Sequence, residues 1–142
     1  MKTFTLILSF VLLTSYSTSA QTTPQEFPIG LTVSGSNKAQ GVEASYSLGK
    51  CGVNDVVFII FNNTNVYPIT IDWYDGVFTT DLKWIKKEDA LDKKTIQVPA
   101  NSSVRGNCTN NNLTTVALKT FGVTLKQLKR YGALNFTITT NN

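Results

Sequence analysis

The chain has 142 residues, 42% of them apolar and 15% charged, with a formal net charge of +4, two cysteines and no histidine. Such a chain can bury a core, which excludes an intrinsically disordered protein. The missing histidine removes Ser-His-Asp and Cys-His catalysis and the commonest metal ligand, so no cofactor and no metal are expected.

The chain begins as an export signal. Lys2 precedes the apolar run Phe4–Leu13, and Thr18-Ser19-Ala20 ends in the small residues that signal peptidase accepts. The run is too short for a bilayer, which needs about 20 residues. Cleavage is expected after Ala20, releasing a secreted protein (periplasmic or extracellular) that starts at Gln21. No later stretch reads as a transmembrane segment. Residues 21–28 are polar and hold Pro24, a leader into one domain spanning 29–142.

Within that domain apolar and polar residues alternate, the mark of half-buried strands. Ile29, Leu31 and Val33 form a first strand, closed by the turn Ser34-Gly35-Ser36-Asn37. Val42, Ala44, Tyr46 and Leu48 form a second, broken at Gly49–Gly52. Val56–Phe61 is apolar on both alternating faces and reads as a central strand covered on both sides. Through Asn62–Asn65 it is expected to make a hairpin with Val66–Trp73.

Asp75-Gly76 is a turn signal, and Val77–Ile85 is a weaker strand. Lys86–Lys94 is an exposed loop or one helical turn. Thr95–Val98 is a strand, Pro99–Ser102 a turn, and Val104, Gly106 and Cys108 share one side of the next strand. Thr114–Phe121 is β-prone. Thr124 and Gln127 fit a capping box, and Leu125, Leu128 and Tyr131 fall on one helical face, so a short helix is expected before Gly132. Leu134, Phe136 and Ile138 alternate in a last strand.

Seven or eight short strands with one small helix point to an all-β, antiparallel immunoglobulin-like β-sandwich, with a small barrel as the alternative. In an oxidising compartment Cys51 and Cys108 pair, closing a loop worth roughly 4 kcal/mol in the chain-entropy model. The run from Val57 to Trp73, followed by Thr95–Cys108 with its Pro-Ala-Asn-Ser turn, resembles small secreted bacterial proteins with a single immunoglobulin-like domain and no assigned activity. The resemblance implies a fold and an export route, and carries over no catalytic or binding residue.

Four constellations bear on function. Ser47 and Lys50 match Ser-x-x-Lys, yet sit at a strand end without the companion motifs, so the protein is not expected to be an enzyme. Asp72, Asp75 and Asp81 cluster in sequence. They suit calcium, an acid–base pair, or simply an outward strand residue and an Asp-Gly turn. Trp73, Tyr74, Phe78 and Trp84 are the densest aromatic group. Trp73 is expected in the core, Trp84 exposed, and Trp73, Tyr74, Trp84 and Asp75 are the candidate ligand-binding residues.

Charge is the fourth. Five lysines face nine acids from Gln21 to Asp92, whereas Lys93–Asn142 holds seven basic residues and no acid. Lys119, Lys126, Lys129 and Arg130 form the candidate basic patch, suited to an anionic surface or an acidic glycan rather than to nucleic acid. Five Asn-x-Ser/Thr sequons, at Asn62, Asn101, Asn107, Asn112 and Asn135, read as glycosylation sites or as polar turns according to the host. The sequence thus leads to a non-catalytic binding or accessory module with an unknown protein or glycan partner. Carbohydrate binding through exposed aromatics is one version of that reading. A membrane-surface or structural protein is the other.

Overall fold

The computed structural model describes residues 25–26, 38–109 and 112–140. The signal segment, the strand expected at Ile29–Val33 and its turn lie outside these residues. Among these residues ten strands, rather than the seven or eight expected, build two antiparallel sheets that share one core.

The six-stranded sheet contains β1 (Gln25–Glu26), β2 (Lys38–Ala39), β3 (Val42–Cys51), β4 (Asn54–Asn63), β8 (Ser102–Arg105) and β9 (Thr115–Ala117). The four-stranded sheet contains β5 (Ile69–Thr79), β6 (Trp84–Lys86), β7 (Lys94–Val98) and β10 (Leu128–Thr140). The all-β class and antiparallel pairing expected from the alternation are therefore present.

β4 is central to its sheet, with β3 along one side and β8 and β9 along the other. Val57, Ile59 and Phe61 are fully buried on its inner face. Its outer face is only half covered at Phe58 and Ile60. Across the core Phe61 meets Trp73 of β5 edge-on at 5.1 Å, and Tyr46 meets Tyr131 of β10 at 5.8 Å. Such edge-to-face pairs add about 0.5–1.5 kcal/mol beyond the area they bury.

Three expectations are corrected. First, β4 and β5 form no hairpin; they lie in different sheets. The Asn-rich segment is a crossover because the buried side chain of Asn63 turns the chain. Its Nδ2 donates to the carbonyls of Tyr67, Val98 and Pro99, and its Oδ1 accepts from the Asn65 amide. Pro68 offers no backbone donor for a ladder at this point.

Second, Asp75-Gly76 is no turn. β5 runs straight through it, since Gly76 pairs with both Gly132 and Lys86. The reversal comes later, where the Thr79 carbonyl accepts from the Leu82 amide and Leu82 takes φ 64°. Third, the expected short helix is absent. Thr124–Gln127 closes a single turn in which Gln127 Oε1 accepts from the Thr124 amide, as in a capping box, and Leu128 then enters β10. Leu128 and Tyr131 are buried as strand residues because a register shift inserts Lys129 between them and their partners Thr79 and Val77. Among the described residues the helical structure is two 3-10 turns, Ala90–Asp92 and Leu118–Phe121.

A second shift in β10, between Leu134 and Thr137, contains Asn135 at φ 49°. It divides a run that alternates evenly in sequence. Leu134 lies on the outer face beside Gly76, while Phe136 and Ile138 pack on the core.

Cys51 and Cys108 form a disulfide, Sγ–Sγ 2.09 Å. Cys51 ends β3 and Cys108 follows β8, so the bond staples one sheet at its edge and does not span the two layers.

Candidate functional site

Alternation along β5 splits the candidate ligand residues between two faces. Trp73 and Asp75 point into the core, with Asp75 6% exposed. Tyr74, Gly76 and Phe78 point outward, and Trp84 joins them through the Phe78–Trp84 pair. The aromatic group is therefore two structures.

The outer structure is a trough. Gly76 and Gly132 face each other across β5 and β10. A Cβ on Gly132 would stand 3.0 Å from Trp84 Cη2, and one on Gly76 would stand 2.6 Å from Leu134 Cδ1. Two bare backbones thus let the indole and the leucine lie against the sheet. Phe78 closes one end of the trough at 5.3 Å from the indole. The Arg130 guanidinium sits 4.7 Å from the Phe78 ring and 5.3 Å from the Trp84 ring, and Lys129 is 5.7 Å from Phe78. A cation at an aromatic face contributes about 0.5–2 kcal/mol. Among the described residues, Arg130 Nε is buried without a hydrogen-bond partner. Trp84 keeps 36% of its surface exposed, and Lys83 and Lys86 flank it in sequence with exposed ammonium groups.

The inner structure is a polar knot. Asp75 Oδ1 accepts from the Tyr131 hydroxyl at 2.6 Å and from Trp73 Nε1 at 3.1 Å. Asp75 Oδ2 pairs with Lys94 Nζ at 2.8 Å, and Lys94 also donates to the Leu113 carbonyl at 2.8 Å. Burial raises the Tyr131 hydroxyl well above its ordinary pKa, and the charge of Asp75 adds to the effect. Each polar atom here has a partner, as buried groups require. The knot holds β5, β7 and β10 together.

The remaining candidates are dispersed. Asp72 points outward, accepting from the Thr95 hydroxyl and pairing with Lys93 at 3.0 Å; these hold its carboxyl below the usual range, the Thr95 bond most strongly. Asp81 lies in the β5–β6 turn beside Thr79 and Lys83. Among the described residues no group of three His, Cys, Asp or Glu side chains is placed to hold a metal ion. Ser47 and Lys50, three residues apart in an extended strand, fall on opposite faces, and Lys50 pairs with Asp55 at 2.6 Å. The basic patch is divided as well. Lys129 and Arg130 border the trough, Lys126 is exposed in the turn before β10, and Lys119 lines a hollow beside the disulfide. Among the described residues no helix is long and apolar enough to cross a membrane.

Sequence reasoning missed Lys94, Tyr131, Gly76, Gly132 and Leu134. Period-two counting from Trp73 would have placed Tyr74, Gly76 and Phe78 on one face, had Asp75-Gly76 not been taken for a turn. Comparison with protein-family models, with curated proteins and with solved structures finds no match for this chain.

Proposed function

We propose that the protein is an exported, non-catalytic binding module of immunoglobulin-like form, and that the outer face of the four-stranded sheet binds an acidic glycan. The observation that carries this reading is the Trp84 indole lying against Gly132, beside Leu134 over Gly76, with the Arg130 guanidinium next to it. A flat ring backed by a sheet offers a stacking surface to a sugar ring. Lys129 and Arg130 at the rings suit carboxylates on that sugar, while Lys83 and Lys86 nearby pair with Asp81 and Glu88. The non-catalytic part of the reading is supported by the chemistry that is used up. Both thiols are in the disulfide, and each Asp75 oxygen already accepts from a donor. The disulfide fits an exported protein.

The test is calorimetric titration with a polyuronate and with a neutral glucan. Saturable polyuronate binding that falls about tenfold or more in Trp84→Ala and in Arg130→Gln is expected, about the loss of one charge-assisted contact. Absence of polyuronate binding, or binding indifferent to Trp84→Ala, overturns the reading.

A second reading, contact with an anionic membrane surface, draws on the tip of the β5–β6 hairpin. Leu82 is 65% exposed there, and Trp84 and Ile85 follow it between Lys83 and Lys86. Tryptophan and lysine in this arrangement suit a lipid interface. Salt-sensitive sedimentation with anionic but not neutral vesicles would favour it over the glycan.

A further inference from the structure

Each sheet changes its edge partner part-way along a central strand. β5 pairs with β6 along Gly76–Phe78 and with β7 along Ile69–Trp73, leaving the segment 87–93 to loop away between them. β4 pairs with β8 along Ile60–Asn63 and with β9 along Val56–Phe58, with residues 112–114 outside both ladders. Lys87, Leu91, Asp92 and Lys93 from the first of these and Leu113 from the second line a cleft of about 400 Å³. That is the size of small-molecule sites.

The Asp75–Lys94 pair lies in this cleft, and the Lys94 bond to the Leu113 carbonyl ties one lip to the other. Val116 and Ala117 line a wall. Leu91 and Leu113 stand on the lips, 99% and 45% exposed. Two exposed leucines facing one opening leave apolar surface in water that a ligand could cover.

The charged side chains lining the cleft are Lys87, Lys93 and Lys94 against Asp75 and Asp92, one positive charge in excess. Lys94 and Asp75 satisfy each other, and Lys93 takes Asp72. Lys87 stands 5.3 Å from the Phe121 ring, and among the described residues it pairs with no carboxylate. Asp92 is likewise outside any described ion pair, which disfavours a ligand with more than one negative charge.

We propose that this cleft is a binding site for a small organic monocarboxylate with an apolar body. The carboxylate pairs with Lys87, and the aliphatic or aromatic body lies against Leu91, Leu113 and Val116. The site is independent of the trough, because Asp75 and Trp84 are on opposite faces of the sheet.

Calorimetric titration of the full chain with 4-phenylbutyrate tests it, with 4-phenylbutylamine as the cationic counterpart. One saturable site is expected for the acid, weakened about tenfold by Lys87→Met and by Leu91→Asp, as loss of a charge-assisted contact or of apolar cover would give. Leu91 is almost wholly exposed, so Leu91→Asp should leave the melting temperature unchanged. Trp84→Ala should bind phenylbutyrate as the parent does, whatever becomes of glycan binding. No saturation by about 1 mM acid, equal binding of the amine, or affinity unchanged in both cleft variants overturns the proposal.

Discussion

Trp73 and Trp84 sit eleven residues apart on adjoining strands of one sheet and have opposite fates. Trp73 is fully buried, its ring edge-on to Phe61 and its Nε1 bonded to Asp75. Trp84 lies against Gly132 on the other face, beside a guanidinium and partly open to solvent. The same side chain serves as core in one place and as platform in the other. Strand parity decides which face each takes, and the bare backbone beneath decides whether an outward ring can lie flat. The comparison also separates two kinds of polar partner. Asp75 is committed to internal donors, whereas Arg130 leaves charge at the surface.

The largest expected break in this comparison is Asp75→Ala. It strands the Tyr131 hydroxyl, Trp73 Nε1 and Lys94 together, at a cost of about 3–5 kcal/mol. Trp84→Ala should cost less than half as much. Urea denaturation at constant m-value measures both. Asp75→Asn, which keeps an acceptor for the tyrosine and the tryptophan, should fall between them.

Changing pH probes the two faces separately. The folded pKa of Tyr131 lies above the ordinary 10.0, so folding favours its protonated form. Its contribution is fully present below about pH 10 and is lost as pH rises through the folded value. Asp72 is shifted the other way, below 3.8, so its contribution is present above about pH 4 and is lost as pH falls through the folded value. The urea midpoint should therefore fall at both extremes. Tyr131→Phe should flatten the alkaline fall, leaving the smaller share of Tyr46, whose hydroxyl burial also raises. Asp72→Asn should lessen the acid fall, leaving the shares of Asp55 and Asp81, whose carboxyls are lowered chiefly by their bonds from Lys50 and Thr79.

Gly132→Val sharpens the platform half of the comparison. The added side chain meets the far end of the indole rather than backbone, so stability should change by about 1 kcal/mol or less. Trp84 should swing into water, shifting tryptophan fluorescence to the red while buried Trp73 reports no change. The smallest effect is expected at the hairpin tip. Leu82 holds a left-handed φ that costs an L-residue about 1–2 kcal/mol, and Leu82→Gly should recover up to about 1 kcal/mol of it after the greater freedom of the unfolded glycine is subtracted. A small rise in melting temperature is the readout.

Strands with strict alternation were legible in the sequence. Val42–Leu48 became β3, Thr95–Val98 became β7, and the charged stretch at 86–94 gave the short 3-10 turn that was one of its two readings. What escaped was long-range. Asn63 looks like any turn asparagine until its amide meets carbonyls thirty-five residues away. The bulges in β10 shift parity without any proline or glycine at the inserted position, so Leu128 and Tyr131 imitated a helical face. The trough depends on Gly76 and Gly132 being cross-strand neighbours, a pairing between residues far apart in the chain. Trp84 itself could be singled out because it stands among lysines; its glycine floor could not.

Asn63 has a consequence for handling the protein. One amide fastens two of the three places where the described chain changes layers, the segment 64–68 and the corner at Pro99; the third is the stretch between β9 and β10. A tag, a protease site or new termini placed at either position would disturb the other as well. The bend at Gly52–Val53 is free of such obligations: Val53 is 93% exposed and no atom lies within 4 Å of a Cβ placed on Gly52. An epitope or fluorophore inserted there should leave both layers assembled.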